Sequence, residues 1–117
     1  MKSDFQGKVR EANGVAILDL EGKLVHYASQ ALRDQVSRLL ADNRRKFVVN
    51  LEKVTAIDST GIGALAACFT SVARQGGALK LLNPTGHVRI ALGWTKLDKL
   101  LDTHTDEQQA LASFTSP

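Results

Sequence analysis

Apolar segments too short to be helices alternate along this chain with longer segments whose apolar residues recur at helical spacing. In residues 28–43 the apolar side chains recur every three or four positions, which places them on one helix face. A second stripe of this kind follows Asp58 and ends at Gly76 and Gly77. The segments KFVVNL (46–51) and ALKLL (78–82) are typical of buried strands. Strands separated by helices need right-handed crossovers onto one sheet, so this order predicts an α/β fold.

The N-terminal part of the chain predicts one antiparallel pair of strands. Residues 5–11 and 15–21 flank Asn13 and Gly14, a dipeptide that favours the positive φ angles of a type I′ turn. The second strand is apolar on both faces for most of its length and should lie inside the sheet. Further helices are expected at 85–92 and 106–114. The elements together predict a four- to five-stranded mixed sheet with helices mainly on one face.

Length and composition limit the class of protein. The 117 residues, of which 44% are hydrophobic, are expected to form one domain, residues 1–117, with a substantial core. A net charge of +3 does not indicate a nucleic-acid-binding protein. The single cysteine, Cys68, excludes an internal disulfide and fits a cytoplasmic protein. No signal peptide and no membrane-spanning apolar run are visible, so no membrane insertion is expected.

The stretch AIDSTGIGAL (56–65) concentrates an acid, two hydroxyls and two glycines where a strand becomes a helix. A nucleophile elbow needs a glycine two residues before the serine, where this chain has Ile57, and the three histidines are scattered. The GIGALA segment fits a dinucleotide fingerprint, but the acid that binds the ribose is missing from the end of the next strand. No cluster has metal-ligand spacing. We therefore expect no enzyme, no metal and no cofactor, and a nucleotide-binding enzyme is the alternative.

Two interpretations of this stretch remain. Asp58 or Ser59 can cap the following helix by accepting hydrogen bonds from its first turn. A cap does not explain Gly61 and Gly63, since each glycine costs roughly 1 kcal/mol of helix propensity, so another backbone or a partner should approach closely. A phosphate on Ser59 would lie at a helix N-terminus, where backbone donors tolerate it. Ser59 should therefore be exposed, and the helical stripe predicts that two apolar side chains are core residues, Leu65 and Phe69.

Nearly the whole chain resembles the STAS domains, specifically the single-domain anti-sigma-factor antagonists of bacteria. The segment VVNLEKVTAIDSTGIGAL is similar to the family's strand, loop and phosphorylatable D-S-[ST]-G-[LI]-G motif. LEGKLVHYASQALRDQV resembles its second strand, G-x-L turn and first helix. ARQGGALKLLNPTGHVRIALGWTKLDKLL resembles the region from the end of the second helix to the third helix. The resemblance implies a single STAS-like domain with no catalytic activity.

The resemblance also implies a switch of partners. In the family, the unphosphorylated antagonist binds an anti-sigma factor that is also a serine kinase, and this releases the sigma factor. The kinase phosphorylates the serine that matches Ser59, and a PP2C-type phosphatase resets it. Asp58, Thr60, Gly61 and Gly63 match the residues that surround this serine. The matching partner-binding surface is the loop from Gly22 to Tyr27, residues 58–63 and the exposed side of the following helix. The residues matched to partner binding itself are Gly22, Lys23, Leu24, Val25, His26 and Ile62.

One departure from the family pattern supports an alternative. Many members carry an acid at the end of the G-x-L-[DE] turn, whereas Val25 follows Leu24 here, and Lys23 stands where acids are common. These residues fit a STAS subunit of a membrane ABC transport complex, which docks constantly and is not phosphorylated. The intact Asp58-Ser59-Thr60-Gly61 run fits the phosphorylation switch.

Overall fold

The sheet is mixed and five-stranded, with the strands in the order β1-β2-β3-β4-β5. The structure is a computed structural model that describes residues 5–114. Strand β1 is antiparallel to β2, and the remaining neighbours are parallel. The expected mixed sheet is thus confirmed. The elements are β1 Gln6–Ala12, β2 Val15–Leu24, α1 Tyr27–Ala41, β3 Lys46–Ile57, α2 Ser59–Arg74, β4 Ala78–Leu82, α3 Gly86–Trp94, α4 Leu97–Leu100, β5 Thr103–His104 and α5 Glu107–Ala112.

The N-terminal hairpin has the turn that its sequence predicts. Ala12 pairs with Val15, so two residues form the loop. Asn13 and Gly14 both have positive φ angles, 54° and 79°, as a type I′ turn requires. This turn fixes the register of β1 against β2.

Strand β3 is longer than the apolar segment that predicted it. The expected strand ended at Leu51, but the observed one continues to Ile57. Its last residues pair with the end of β2, where Leu24 lies opposite Ile57, after two register shifts. Buried side chains at Val54 and Ile57 anchor the extension, while the two charged residues before them interrupt the apolar pattern. The extension brings the start of α2 beside the loop that leads into α1.

Most helices cover one face of the sheet. Leu18 and Phe47 on that face share the main core with Leu32 of α1, Leu65 of α2 and Val88 of α3. The other face carries a smaller cluster, which α5 covers; its buried members are Val15, Ile17, Val48, Leu82, Ala110 and Leu111. Helices mainly on one face were expected, and α5 is the exception.

The core assignment on α2 was right for Leu65 and only partly right for Phe69. Leu65 is fully buried, whereas Phe69 is half-buried and packs at the margin of the main core. Ala64, Cys68 and Val72 lie at the centre of the buried face instead. Truncating Phe69 should thus cost less than the roughly 3–5 kcal/mol typical of a fully buried phenylalanine.

Two short elements were not predicted, α4 and β5. They have only four and two residues, which is too few for a periodic pattern. Between residues 5 and 114, no helix combines the length and the apolar character needed to cross a membrane.

Candidate functional site

The candidate site is the junction between β3 and α2, where Asp58 caps the helix. Asp58 has extended backbone angles, and its Oδ1 accepts hydrogen bonds from the Gly61 amide at 3.0 Å and the Thr60 hydroxyl at 2.6 Å. These hydrogen bonds, that from Thr60 first, hold the pKa of Asp58 below its usual value. The cap is therefore a carboxylate at neutral pH, and it lies directly beside Ser59.

Thr60 links the starts of the two helices. Its Oγ1 accepts the His26 amide at 3.0 Å and lies 3.0 Å from the Ser29 hydroxyl. Because the single hydroxyl proton of Thr60 goes to the carboxylate of Asp58, Ser29 must be the donor in that pair. Both lone-pair positions and the proton of Thr60 are therefore used. Replacing this proton by a phosphoryl group would disrupt the link between α1 and α2.

Ser59, in contrast to Thr60, has a hydroxyl that is not used in the described part of the fold. It is exposed at the first position of α2, and its hydroxyl makes no hydrogen bond to any residue in the described range. This is the exposure expected from the sequence. A modifying enzyme can reach the oxygen of Ser59 without breaking a contact that holds the fold together.

Packing restricts the two glycines after Thr60 to different degrees. A Cβ on Gly61 would lie 2.2 Å from the Leu24 carbonyl oxygen and 2.8 Å from Cγ1 of Ile57, so α2 can approach β2 only with glycine there. This close backbone approach was expected. At Gly63 the nearest atom to an added Cβ is Nη2 of Arg33, at an ordinary contact distance of 3.8 Å. Packing therefore requires glycine at position 61 but not at position 63.

The loop between β2 and α1 lies beside this junction. Lys23 is exposed, Val25 is half-buried, and Gly22 adopts a φ of 101° that favours glycine. His26 has a φ of 47°, which is unusual for a residue with a side chain. Its exposed imidazole has Nε2 4.0 Å from Oδ2 of Asp58.

The prediction that the Leu24 side chain binds a partner is wrong. Its side chain is fully buried in the main core, so only its carbonyl contributes to the site, through the close approach to Gly61. The side chain is buried because Leu24 is still part of β2, and its side chain points to the face that the helices cover. Ile62 is half-buried and also packs against the core, which leaves part of its side chain accessible.

Two residues of the site were not predicted. Ser29 is buried and bonded to Thr60, and Arg33 lies beside Gly63. A serine among the apolar positions of α1 was the available sequence signal for the first. The second needed the packing of α1 against α2. Tyr27, which closes the expected 22–27 loop of the binding surface, is 91% exposed at the start of α1.

Solved structures share this fold. An anti-sigma factor antagonist from Mycobacterium paratuberculosis has a TM-score of 0.83 at 21% identity, covering 96% of this chain and 95% of that one. SpoIIAA from Bacillus in its phosphorylated form has a TM-score of 0.73 at 20% identity, over 93% and 99% of the chains. A sulfate transporter family protein from Wolinella succinogenes has 0.69 at 22%, over 87% and 85%. At these identities the likeness shows the fold.

Comparison of the sequence with known proteins and family models identifies the family of the chain. The chain is 24% identical to the anti-sigma F factor antagonist of Paenibacillus polymyxa over 95% of this chain and 96% of that protein. It is 29% identical to the anti-sigma-B factor antagonist of Bacillus subtilis over 73% and 77%. The model of the STAS domain matches residues 7–110, and the chain therefore belongs to the STAS domain family.

Proposed function

We propose that this protein is an anti-sigma-factor antagonist that binds an anti-sigma factor and is switched off by phosphorylation of Ser59. One observation carries the proposal: an exposed hydroxyl without a hydrogen-bond partner in residues 5–114 stands directly beside a hydroxyl that is fully bonded. The names of the curated relatives support an anti-sigma factor as the partner. The protein acts by binding and not by catalysis, and it needs no cofactor.

The geometry favours Ser59 over Thr60 as the acceptor of the phosphate. Ser59 can be modified with the cap intact, because Asp58 and Gly61 keep their hydrogen bond. Modification of Thr60 would remove its bond to Asp58 and crowd its contacts with His26 and Ser29. A kinase that acts on the folded protein therefore selects Ser59.

Electrostatics explain why a phosphate would end binding. A phosphoserine carries about −1.5 to −2 charges at neutral pH, and it would stand beside the Asp58 carboxylate. The N-terminus of α2 tolerates that charge, so the fold survives. A partner packed on this surface would meet concentrated negative charge. Each 1.4 kcal/mol of repulsion and desolvation weakens binding about tenfold, so a hundredfold loss needs about 3 kcal/mol.

The partners follow from this switch. The anti-sigma factor is of the serine-kinase type, so it supplies the phosphate from ATP, and a PP2C-type phosphatase removes it. The exposed surface around Lys23, His26 and Ser59, with the accessible part of Ile62, receives the anti-sigma factor. Sigma factors act in the cytoplasm, and we place the protein there. No nucleic-acid contact is part of the proposal.

A second candidate function is a constant docking module in a membrane ABC transport complex. Exposed Lys23 and half-buried Val25 favour it, because they stand where many phosphorylated STAS proteins carry an acid. In that case Ser59 would remain a hydroxyl, and its surface would bind a transport subunit at all times.

A phosphorylation assay separates the two functions. The unmodified protein captures its partner from the host, and the purified partner is then incubated with ATP and wild type, Ser59→Ala or Ser71→Ala. Ser71 is a matched control because it is also exposed on α2. Intact-mass measurement should show one added phosphate on wild type and Ser71→Ala, and none on Ser59→Ala. Capture of an ATPase-linked permease with no mass change would support the docking module.

A further inference from the structure

Position 63 of α2 is glycine although the fold does not require it. At Gly61 an added Cβ would collide with a backbone carbonyl, but at Gly63 it would meet only the guanidinium of Arg33 at 3.8 Å. Glycine inside a helix is disfavoured against alanine. Glycine at position 63 therefore leaves open a space beside α2 that alanine would partly fill, although alanine would favour the helix. The group beside that space is the Arg33 guanidinium.

Arg33 is a cation without an ion-pair or hydrogen-bond partner among the described residues. It is exposed on α1, and no ion pair or hydrogen bond joins its guanidinium to any residue in 5–114. Asp34, its neighbour in sequence, accepts a hydrogen bond from Gln30 instead. Arg10 and Arg44, by contrast, are both held in ion pairs. The Arg33 guanidinium is thus available to an anion.

The arrangement of the two helices places the Arg33 guanidinium about one helical turn from Ser59. Ser29 in the first turn of α1 contacts Thr60 in the first turn of α2, so the two helices start side by side. Arg33 is one turn after Ser29, as Gly63 is one turn after Ser59, and helical residues four apart share a face. The Arg33 guanidinium lies beside Gly63, and because helical side chains lean toward their N-terminus it can extend from there toward Ser59, one helical turn away.

We propose that Arg33 is the residue that pairs with the phosphate of phosphorylated Ser59, and that Gly63 leaves the space through which it reaches. This inference rests on the proposed function, since it needs a phosphate at Ser59. The guanidinium offers two parallel N–H donors to phosphate oxygens, a geometry that Lys23 does not have. His26 already faces the carboxylate of Asp58. The pairing gives the phosphorylated state its own intramolecular contact across the groove between α1 and α2.

The test measures the second ionisation of the phosphate itself. Phosphoserine is installed at position 59 during translation by genetic-code expansion, and its pKa is read from a phosphorus NMR titration of the full chain. Wild type is compared with Arg33→Gln and with Arg38→Gln, which removes an exposed charge from the last turn of the same helix. Loss of the pairing in Arg33→Gln should raise this pKa by about 0.2–0.7, the range of an exposed ion pair, and Arg38→Gln should match wild type.

Other ionisable groups on the segments around the two helix starts are those of Lys23, His26, Asp34 and Asp58, and the buried Cys68 thiol interacts electrostatically with Arg33. The imidazole of His26 is an ionisable group on the same surface, so the series is repeated with His26→Gln, where the Arg33 difference should persist. The inference is overturned if Arg33→Gln titrates as wild type, if Arg38→Gln shifts equally, or if the difference disappears with His26→Gln.

These outcomes are separate from those of the proposed function. The phosphate is installed without a kinase, so the titration tests the pairing whether or not a partner phosphorylates Ser59. The mass measurement with ATP tests phosphorylation whether or not Arg33 pairs with the product. Folding of each variant is checked by amide NMR, where Arg33→Gln should retain the wild-type spectrum away from the groove, because Arg33 is exposed.

Discussion

Alanine at Gly61 and at Gly63 should change stability in opposite directions, although the two substitutions are identical and two residues apart. At position 61 the added Cβ would lie 2.2 Å from the Leu24 carbonyl oxygen, so helix and strand must separate by more than about 1 Å to reach an ordinary contact. Such overpacking lowers the free energy of unfolding by about 3 kcal/mol, and the higher helix propensity of alanine raises it by about 1 kcal/mol. The expected net loss is about 2 kcal/mol.

Gly63→Ala provides the matched control. Its Cβ would rest 3.8 Å from the Arg33 guanidinium, which is an ordinary contact, so only the propensity gain of at most about 1 kcal/mol remains. With a shift of about 4 °C per kcal/mol for a domain of 117 residues, Gly61→Ala should lower the Tm by about 8 °C and Gly63→Ala should raise it by at most about 4 °C. Thermal unfolding followed by circular dichroism measures both. Equal shifts, or a more stable Gly61→Ala protein, would refute the close approach of α2 to β2.

Three further substitutions test the site and its support. Thr60→Val should lose about 1–3 kcal/mol of unfolding free energy in urea titrations, since it leaves the buried Ser29 hydroxyl unpaired, whereas Thr60→Ser should stay close to wild type. His26→Gly should be at least as stable as wild type by the same assay, because it relieves a φ of 47°; a clear loss would contradict this. Arg10 bonds Glu107 and lowers the pKa of that carboxyl, so the stability it adds is present at neutral pH and is lost as pH falls through the folded-state pKa. The difference between wild type and Arg10→Gln should therefore shrink in acid, and a constant difference would show that packing and not charge is responsible.

Much of the fold follows from local patterns in the sequence. The hairpin was predicted because Asn13 and Gly14 determine their turn without help from the rest of the chain. Helices α1 and α2 were predicted because the spacing of their apolar residues indicates a buried face. The end of β3 was missed because pairing with β2 stabilises residues that lack an apolar run. Helix α5 was expected, but the face of the sheet that it covers depends on long-range packing.

The candidate site was predictable in part. The position of Ser59 at a helix start followed from the sequence, since a helical stripe begins directly after it. The burial of Leu24 did not follow, because an apolar residue near a turn can face either side. The full set of hydrogen bonds at the Thr60 hydroxyl depends on Ser29, which is 31 residues away in sequence. The role of Arg33 depends on the space above Gly63, and only the packing of two helices defines that space.

The most direct test of the central claim is the affinity of the captured anti-sigma factor for this protein with and without phosphate on Ser59. Isothermal titration calorimetry measures both forms under the same conditions, with phosphoserine installed at full occupancy. The account predicts that the phosphorylated form binds at least a hundredfold more weakly while its circular dichroism spectrum is unchanged. Equal affinity of the two forms would contradict the account, because the surface around Ser59 would then be a constant dock and not a switch.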